Sequence, residues 1–60
     1  MKTVFIADDE HNIREGLKCI MDWEEAGFDI CGEAANGEEA LSGILTKNPS
    51  LCLLDIKMPK

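Results

Sequence analysis

The chain has 60 residues, 45% of them hydrophobic, and a formal net charge of −6 from twelve Asp and Glu against six Lys and Arg. That length holds at most one small domain with a marginal core, and the apolar share argues against general disorder. The acid excess excludes non-specific nucleic-acid binding, which needs Lys and Arg to displace counterions from phosphates.

The acids are unevenly spread: residues 1–45 carry −8 and residues 46–60 carry +2. Thr3-Val4-Phe5-Ile6-Ala7 is a short apolar run stopped by Asp8-Asp9-Glu10, which suits a strand covered on both faces of a parallel sheet. A helical pattern follows. Ile13, Leu17, Ile20 and Met21 form its apolar stripe, Glu10, Arg14, Glu15 and Lys18 face water, and Gly27 ends the unit. The acids at its start suit the positive end of the helix dipole.

Phe28 to Ala34 reads as a second strand, with Phe28, Ile30, Gly32 and Ala34 on one side. Asn36 is a helix cap, and Glu39 stands three residues on to complete a box-like arrangement. Ala40, Leu41, Ile44 and Leu45 form the buried stripe of this second helix, and Asn48-Pro49 terminates it. Leu51-Cys52-Leu53-Leu54 is a third apolar strand, stopped by Asp55, and Met58-Pro59 closes the chain in a loop. Cys19, Cys31 and Cys52 are odd in number and form no CxxC pair, so a zinc site or a disulfide framework is disfavoured. Their apolar surroundings predict small, reduced core residues. No apolar stretch approaches the roughly 20 residues of a membrane span. Asp8 and Asp9 also interrupt the only N-terminal apolar run too early for a signal peptide, so the expected compartment is the cytoplasm.

The order β-α-β-α-β is the signature of parallel βαβ units with right-handed crossovers. With strand 1 between strands 2 and 3, in the order 2-1-3, the two helices fall on opposite faces and strand 1 becomes the switch point. Ligands bind outside the carboxyl ends of strands at such a point. Asp8 and Asp9 follow strand 1 and Asp55 follows strand 3, so the topology predicts three carboxylates in one shallow pocket. Like charges this close repel unless a cation joins them, and an all-oxygen donor set suits Mg²⁺. A single acid after a strand is ordinarily a strand terminator or helix cap; acids after both strands favour the cation.

Three segments in register carry a family resemblance: Phe5-Ile6-Ala7-Asp8-Asp9-Glu10, Asn36-Gly37-Glu38-Glu39-Ala40-Leu41 and Leu53-Leu54-Asp55-Ile56-Lys57-Met58-Pro59. Together they resemble the receiver domain of bacterial response regulators, over the whole chain. The resemblance implies that residues 1–60 are a partial receiver: the first three strands and two helices of a flavodoxin-like (CheY-like), doubly wound (βα)5 fold. It implies that Asp55 is the phosphoacceptor, taking a phosphoryl group from a sensor histidine kinase. Asp9, Asp55 and the backbone carbonyl of Lys57 would hold Mg²⁺, Asp8 would act through a water, and Met58-Pro59 would shape the active-site loop. Asp22-Trp23-Glu24-Glu25 resembles the helix 1–strand 2 connection of receivers joined to AraC-type DNA-binding domains, although Trp23 also fits a rim residue over the end of helix 1.

Ser50 and Lys60 stand where the family commonly has Asp and Gly. The Ser/Thr after strand 4, the Lys after strand 5 and the signalling surface of the family are not among these residues. DNA contact would therefore come only through an output domain, and the third strand's free edge invites self-association. Two rival readings are an inactive fragment of a receiver and a piece of a phosphatase or hydrolase that forms an aspartyl-phosphate. The second is disfavoured because such sites usually resemble Asp-x-Asp, whereas Lys57 stands two residues after Asp55.

Overall fold

A computed structural model describes residues 1–54 of the chain. Its elements are β1 (Lys2–Ala7), α1 (His11–Cys19), β2 (Phe28–Ala34), α2 (Gly37–Lys47) and β3 (Leu51–Leu54). The three strands form one parallel sheet in the order β2-β1-β3, as the alternation of strands and helices predicts. The central strand is β1: Val4, Phe5, Ile6 and Ala7 are all buried, because both edges are paired and both faces are covered.

Strand partners side by side share a face, so the register sorts the core. Phe5 and Ala7 pack with Ala34, Ala40, Cys31, Ile44 and Cys52 on the α2 face. Val4 and Ile6 alternate onto the α1 face. The β1–β2 register shifts between Val4 and Phe5: Val4 pairs with Ile30 and Phe5 with Gly32, so Cys31 has no partner on β1. This bulge changes the phase of β2. Ile30 follows Val4 onto the α1 face, while Gly32 and Ala34 follow Phe5 and Ala7 onto the α2 face. The expectation that Phe28, Ile30, Gly32 and Ala34 share one side is thereby corrected.

The two helices differ in how firmly they are seated. At the start of α2, Asn36 Oδ1 accepts from the Glu39 N–H at 2.8 Å, and Glu39 Oε1 accepts in return from the Ala35 N–H at 2.9 Å. The reciprocal pair works as a capping box shifted by one residue on its return side. At the other end Asn48 adopts φ 47°, ψ 59° and its N–H donates to Ile44 O at 2.8 Å, a left-handed cap of the kind Asn tolerates. Ala40 is buried and Ile44 half-buried, but Leu41 and Leu45 are exposed. The α2 stripe is thus narrower than expected. The side of α2 that packs closely is defined by Gly43, where a Cβ would come within 2.5 Å of Phe5 Cε2.

In α1, which ends at Cys19, no residue is buried. Ile13 and Met21 are exposed and Ile20 is 70% exposed, so the predicted stripe is present in sequence but largely uncovered. Ile20 and Met21 leave the helix because Asp22 starts a separate turn, its Oδ1 accepting from the Glu25 N–H at 3.1 Å. Gly27 ends that turn at φ 91°, a backbone region open to glycine. No acid lies in the first turn of α1; Glu10 precedes it and its N–H donates to Asp8 Oδ1. Cys19 is exposed, since it lies on this uncovered helix, whereas Cys31 and Cys52 are partly buried as expected; all three are free thiols.

Candidate functional site

The site lies at the carboxyl ends of the strands. Ala7 pairs with Ala34 on one side and with Leu54 on the other, so the last residues of the three strands lie in one row. Asp8 continues the β1 ladder by one bond, its N–H donating to Ala34 O at 3.0 Å. It is 9% exposed, and its Oδ1 accepts from the Glu10 N–H at 2.9 Å, which folds the acidic loop back on itself as an Asx turn. Asp9 is exposed. A cleft of about 470 Å³ opens here, lined by Ala7, Asp8, Glu10, Ile13, Leu17, Leu53 and Leu54. Asp55, Lys57, Met58 and Pro59, singled out from the sequence, lie outside the described residues.

Sequence reasoning placed Arg14 on the water-facing side of the first helix. The structure turns it inward: its side chain is only 13% exposed. Its Nη1 donates to the backbone oxygen of Asp8 at 2.7 Å, its Nε to Glu33 Oε1 at 2.8 Å, and its Nη2 lies 3.4 Å from His11 Nδ1. Glu33 reaches α1 because it pairs with Ile6 and shares its face. Lys18, one turn after Arg14, bonds the second Glu33 oxygen and also Glu15 Oε2 at 2.7 Å. Hydrogen bonds from Lys18 and then Arg14 hold the Glu33 carboxyl below the usual carboxylate range. Hydrogen bonds to Glu15 and Glu33 push the Lys18 ammonium up. The signal for this cluster was available: two bases four residues apart, and one acid interrupting an otherwise small and apolar strand end.

At the opposite end of α1, Trp23 Nε1 donates to Leu17 O at 2.9 Å, and its ring meets Phe28 edge-on with centroids 6.1 Å apart. Trp23 is therefore a rim residue closing the end of the helix, as one of its two sequence readings held.

Among the described residues no three His, Cys, Asp or Glu side chains converge into a metal-holding group. The donors that are described nonetheless fit a hard cation. Asp8 and Asp9 supply only oxygen, and Arg14 bonds the Asp8 backbone rather than either carboxylate. No helix among the described residues is long and apolar enough to cross a membrane.

Residues 4–60 match the response regulator receiver domain family. The chain is 41% identical over 59 residues to the uncharacterized transcriptional regulatory protein YesN of Bacillus subtilis, covering 98% of this chain and 16% of YesN. It is 47% identical over 60 residues to the transcriptional regulatory protein HptR of Staphylococcus aureus, covering all of this chain and 24% of HptR. Among solved structures it superimposes on the REC domain of AraT, a response regulator from Geobacillus stearothermophilus, with a TM-score of 0.93 at 41% identity. That match covers 97% of this chain and 45% of the AraT chain. The chain thus spans about half of the solved domain and a quarter or less of these two curated relatives.

Proposed function

The chain belongs to the response regulator receiver domain family, a family of signalling modules rather than conventional enzymes, and from that membership we propose that it is the phosphoacceptor part of a two-component receiver. In this reading Asp55 accepts the phosphoryl group of a phosphohistidine on a sensor histidine kinase. A carboxylate oxygen of Asp55 attacks phosphorus, the P–N bond breaks, and its electron pair returns to the imidazole nitrogen of the donor. Asp9, Asp55 and the backbone carbonyl of Lys57 would hold Mg²⁺, with Asp8 acting through a water. When bound, the ion would offset the charge on the transferring oxygens. Met58-Pro59 would stiffen the loop after Asp55, since Pro fixes φ and lacks an N–H. The setting is the cytoplasm.

The observation that carries this reading is the pairing of Ala7 with Leu54. Those two residues are the last described residues of neighbouring strands at the switch point of the sheet, and in the sequence they immediately precede Asp8 and Asp55. The Asp22-Trp23-Glu24-Glu25 connection, together with transcriptional regulators among the relatives, supports a transcriptional output of the AraC type. The test is intact mass after incubation with Mg²⁺ and acetyl phosphate. One added phosphoryl group that disappears in Asp55→Ala supports the reading. No gain in the 60-residue chain, together with a gain in a form extended through the fifth strand, would make residues 1–60 an inactive part of the domain.

A further inference from the structure

The Arg14 cluster does more than tie a helix to a sheet. Asp8 is held on both sides of its Cα: its N–H, in the peptide before it, donates to Ala34 O, and its carbonyl, in the Asp8–Asp9 peptide, accepts from Arg14 Nη1. The second contact sets the rotation of the peptide plane from which Asp9 departs. The guanidinium is itself oriented, because Nε is bonded to Glu33 Oε1 while the other Glu33 oxygen is occupied by Lys18. A planar fork can span a carbonyl and a carboxylate in fixed geometry, which a point-charge ammonium cannot. The guanidinium is bonded to the backbone of the acidic loop and to neither of its carboxylates, and Asp8 keeps one carboxylate oxygen beyond the one that accepts from the Glu10 N–H.

Resting on the reading of this loop as a Mg²⁺ site, we infer that Arg14, oriented by Glu33, is a positioning residue that sets the Asp8–Asp9 peptide so that both carboxylates face the cation. The alternative is an ordinary ion pair between α1 and β2, which would affect stability alone. Outer partners that orient metal ligands typically change affinity by about 10–100-fold when removed.

The experiment is NMR of the full chain, first without metal and then during titration with Mg²⁺, on the parent, Arg14→Ala, Arg14→Lys, Glu33→Ala, Glu33→Gln and the Arg14→Ala/Glu33→Ala double variant. Without metal, Arg14→Ala shifts the Asp8 carbonyl and Asp9 amide resonances while those of β1 stay in place. With metal, Arg14→Ala and Arg14→Lys weaken Mg²⁺ binding by about tenfold. Glu33→Gln, which keeps an acceptor for Nε, stays near the parent. The double variant binds no more weakly than Arg14→Ala alone, because Glu33 acts through Arg14. The proposal is overturned if Arg14→Ala leaves the Asp8 carbonyl unshifted and binds Mg²⁺ like the parent, if Arg14→Lys restores binding, or if the two alanine effects simply add. A parent that takes up no Mg²⁺ overturns the acidic-site reading, and this proposal with it, an outcome distinct from equal binding by parent and variants.

Discussion

Gly43 sets two physical effects against each other. In the interior of a helix, Gly→Ala is worth about 1 kcal/mol of added stability. Yet a Cβ at residue 43 would stand 2.5 Å from Phe5 Cε2 and closer still to Cζ, against an ordinary carbon contact of about 3.5–4.0 Å. The ring must therefore retreat by roughly 1 Å. It has little room to do so, being 2% exposed and packed with Ala7, Ala34 and Ala40, with Gly32 close to the same ring edge. Overpacking of this kind costs about 1–3 kcal/mol, so Gly43→Ala nets between no change and about 2 kcal/mol of destabilisation. Gly16, inside α1, is the control: a Cβ added there would meet nothing within 4 Å, so Gly16→Ala should gain the helix term alone. The difference between the two variants isolates the packing cost, at about 4–8 °C in Tm per kcal/mol for a domain of this size. The assay is thermal and urea unfolding followed by circular dichroism and Trp23 fluorescence. Phe5→Leu in the Gly43→Ala background should recover part of the loss. A Gly43→Ala variant stabilised as much as Gly16→Ala would refute the close packing of α2 on β1.

Asn36→Ala removes the acceptor for the Glu39 N–H and should cost about 1 kcal/mol, read as a lower urea midpoint at unchanged slope. Glu33 carries a pH dependence whose sign follows from its depressed folded value. Its ion pairs contribute fully above the unfolded pKa of about 4.3 and are lost as pH falls through the folded value. With the side chain 34% exposed, screening holds that contribution below about 1 kcal/mol. Melting temperatures measured across the acid range should show a shallower fall in Glu33→Gln than in the parent; an identical fall would show that the Lys18 and Arg14 contacts contribute nothing.

The strand positions were legible because Val4–Ala7 and Leu51–Leu54 are short runs apolar on both faces, the pattern of strands in a parallel sheet; β1 is covered accordingly, whereas Leu51 and Leu54 of β3 remain exposed. The Asn36 cap was legible because its chemistry is local. The phase change of β2 was not, since Cys31 looks like any other small apolar residue and a bulge is decided by pairing with β1. The stripe on α1 obeyed the helical period, yet periodicity states only which residues align, not whether anything covers them: Ile20 is exposed beyond the helix end. Arg14 was misplaced for a related reason. A long basic side chain reads as solvated until a strand residue such as Glu33 is known to face it. Of the candidate site, the position of Asp8 and Asp9 directly after β1 was legible from the acids that stop its apolar run.

The unpaired residue of β2 has a consequence for how this sheet tolerates changes in chain length. Every other residue of β2 is matched to one on β1, so inserting or removing one of them would invert the faces of all that follow. Cys31 alone is outside that count. Its deletion would leave Ile30 opposite Val4 and Gly32 opposite Phe5, with Glu33 still facing α1 and Ala34 still facing α2. Strand β2 thus holds a single position where a one-residue gap is topologically silent, and comparisons of related chains should allow a gap there before anywhere else in the strand.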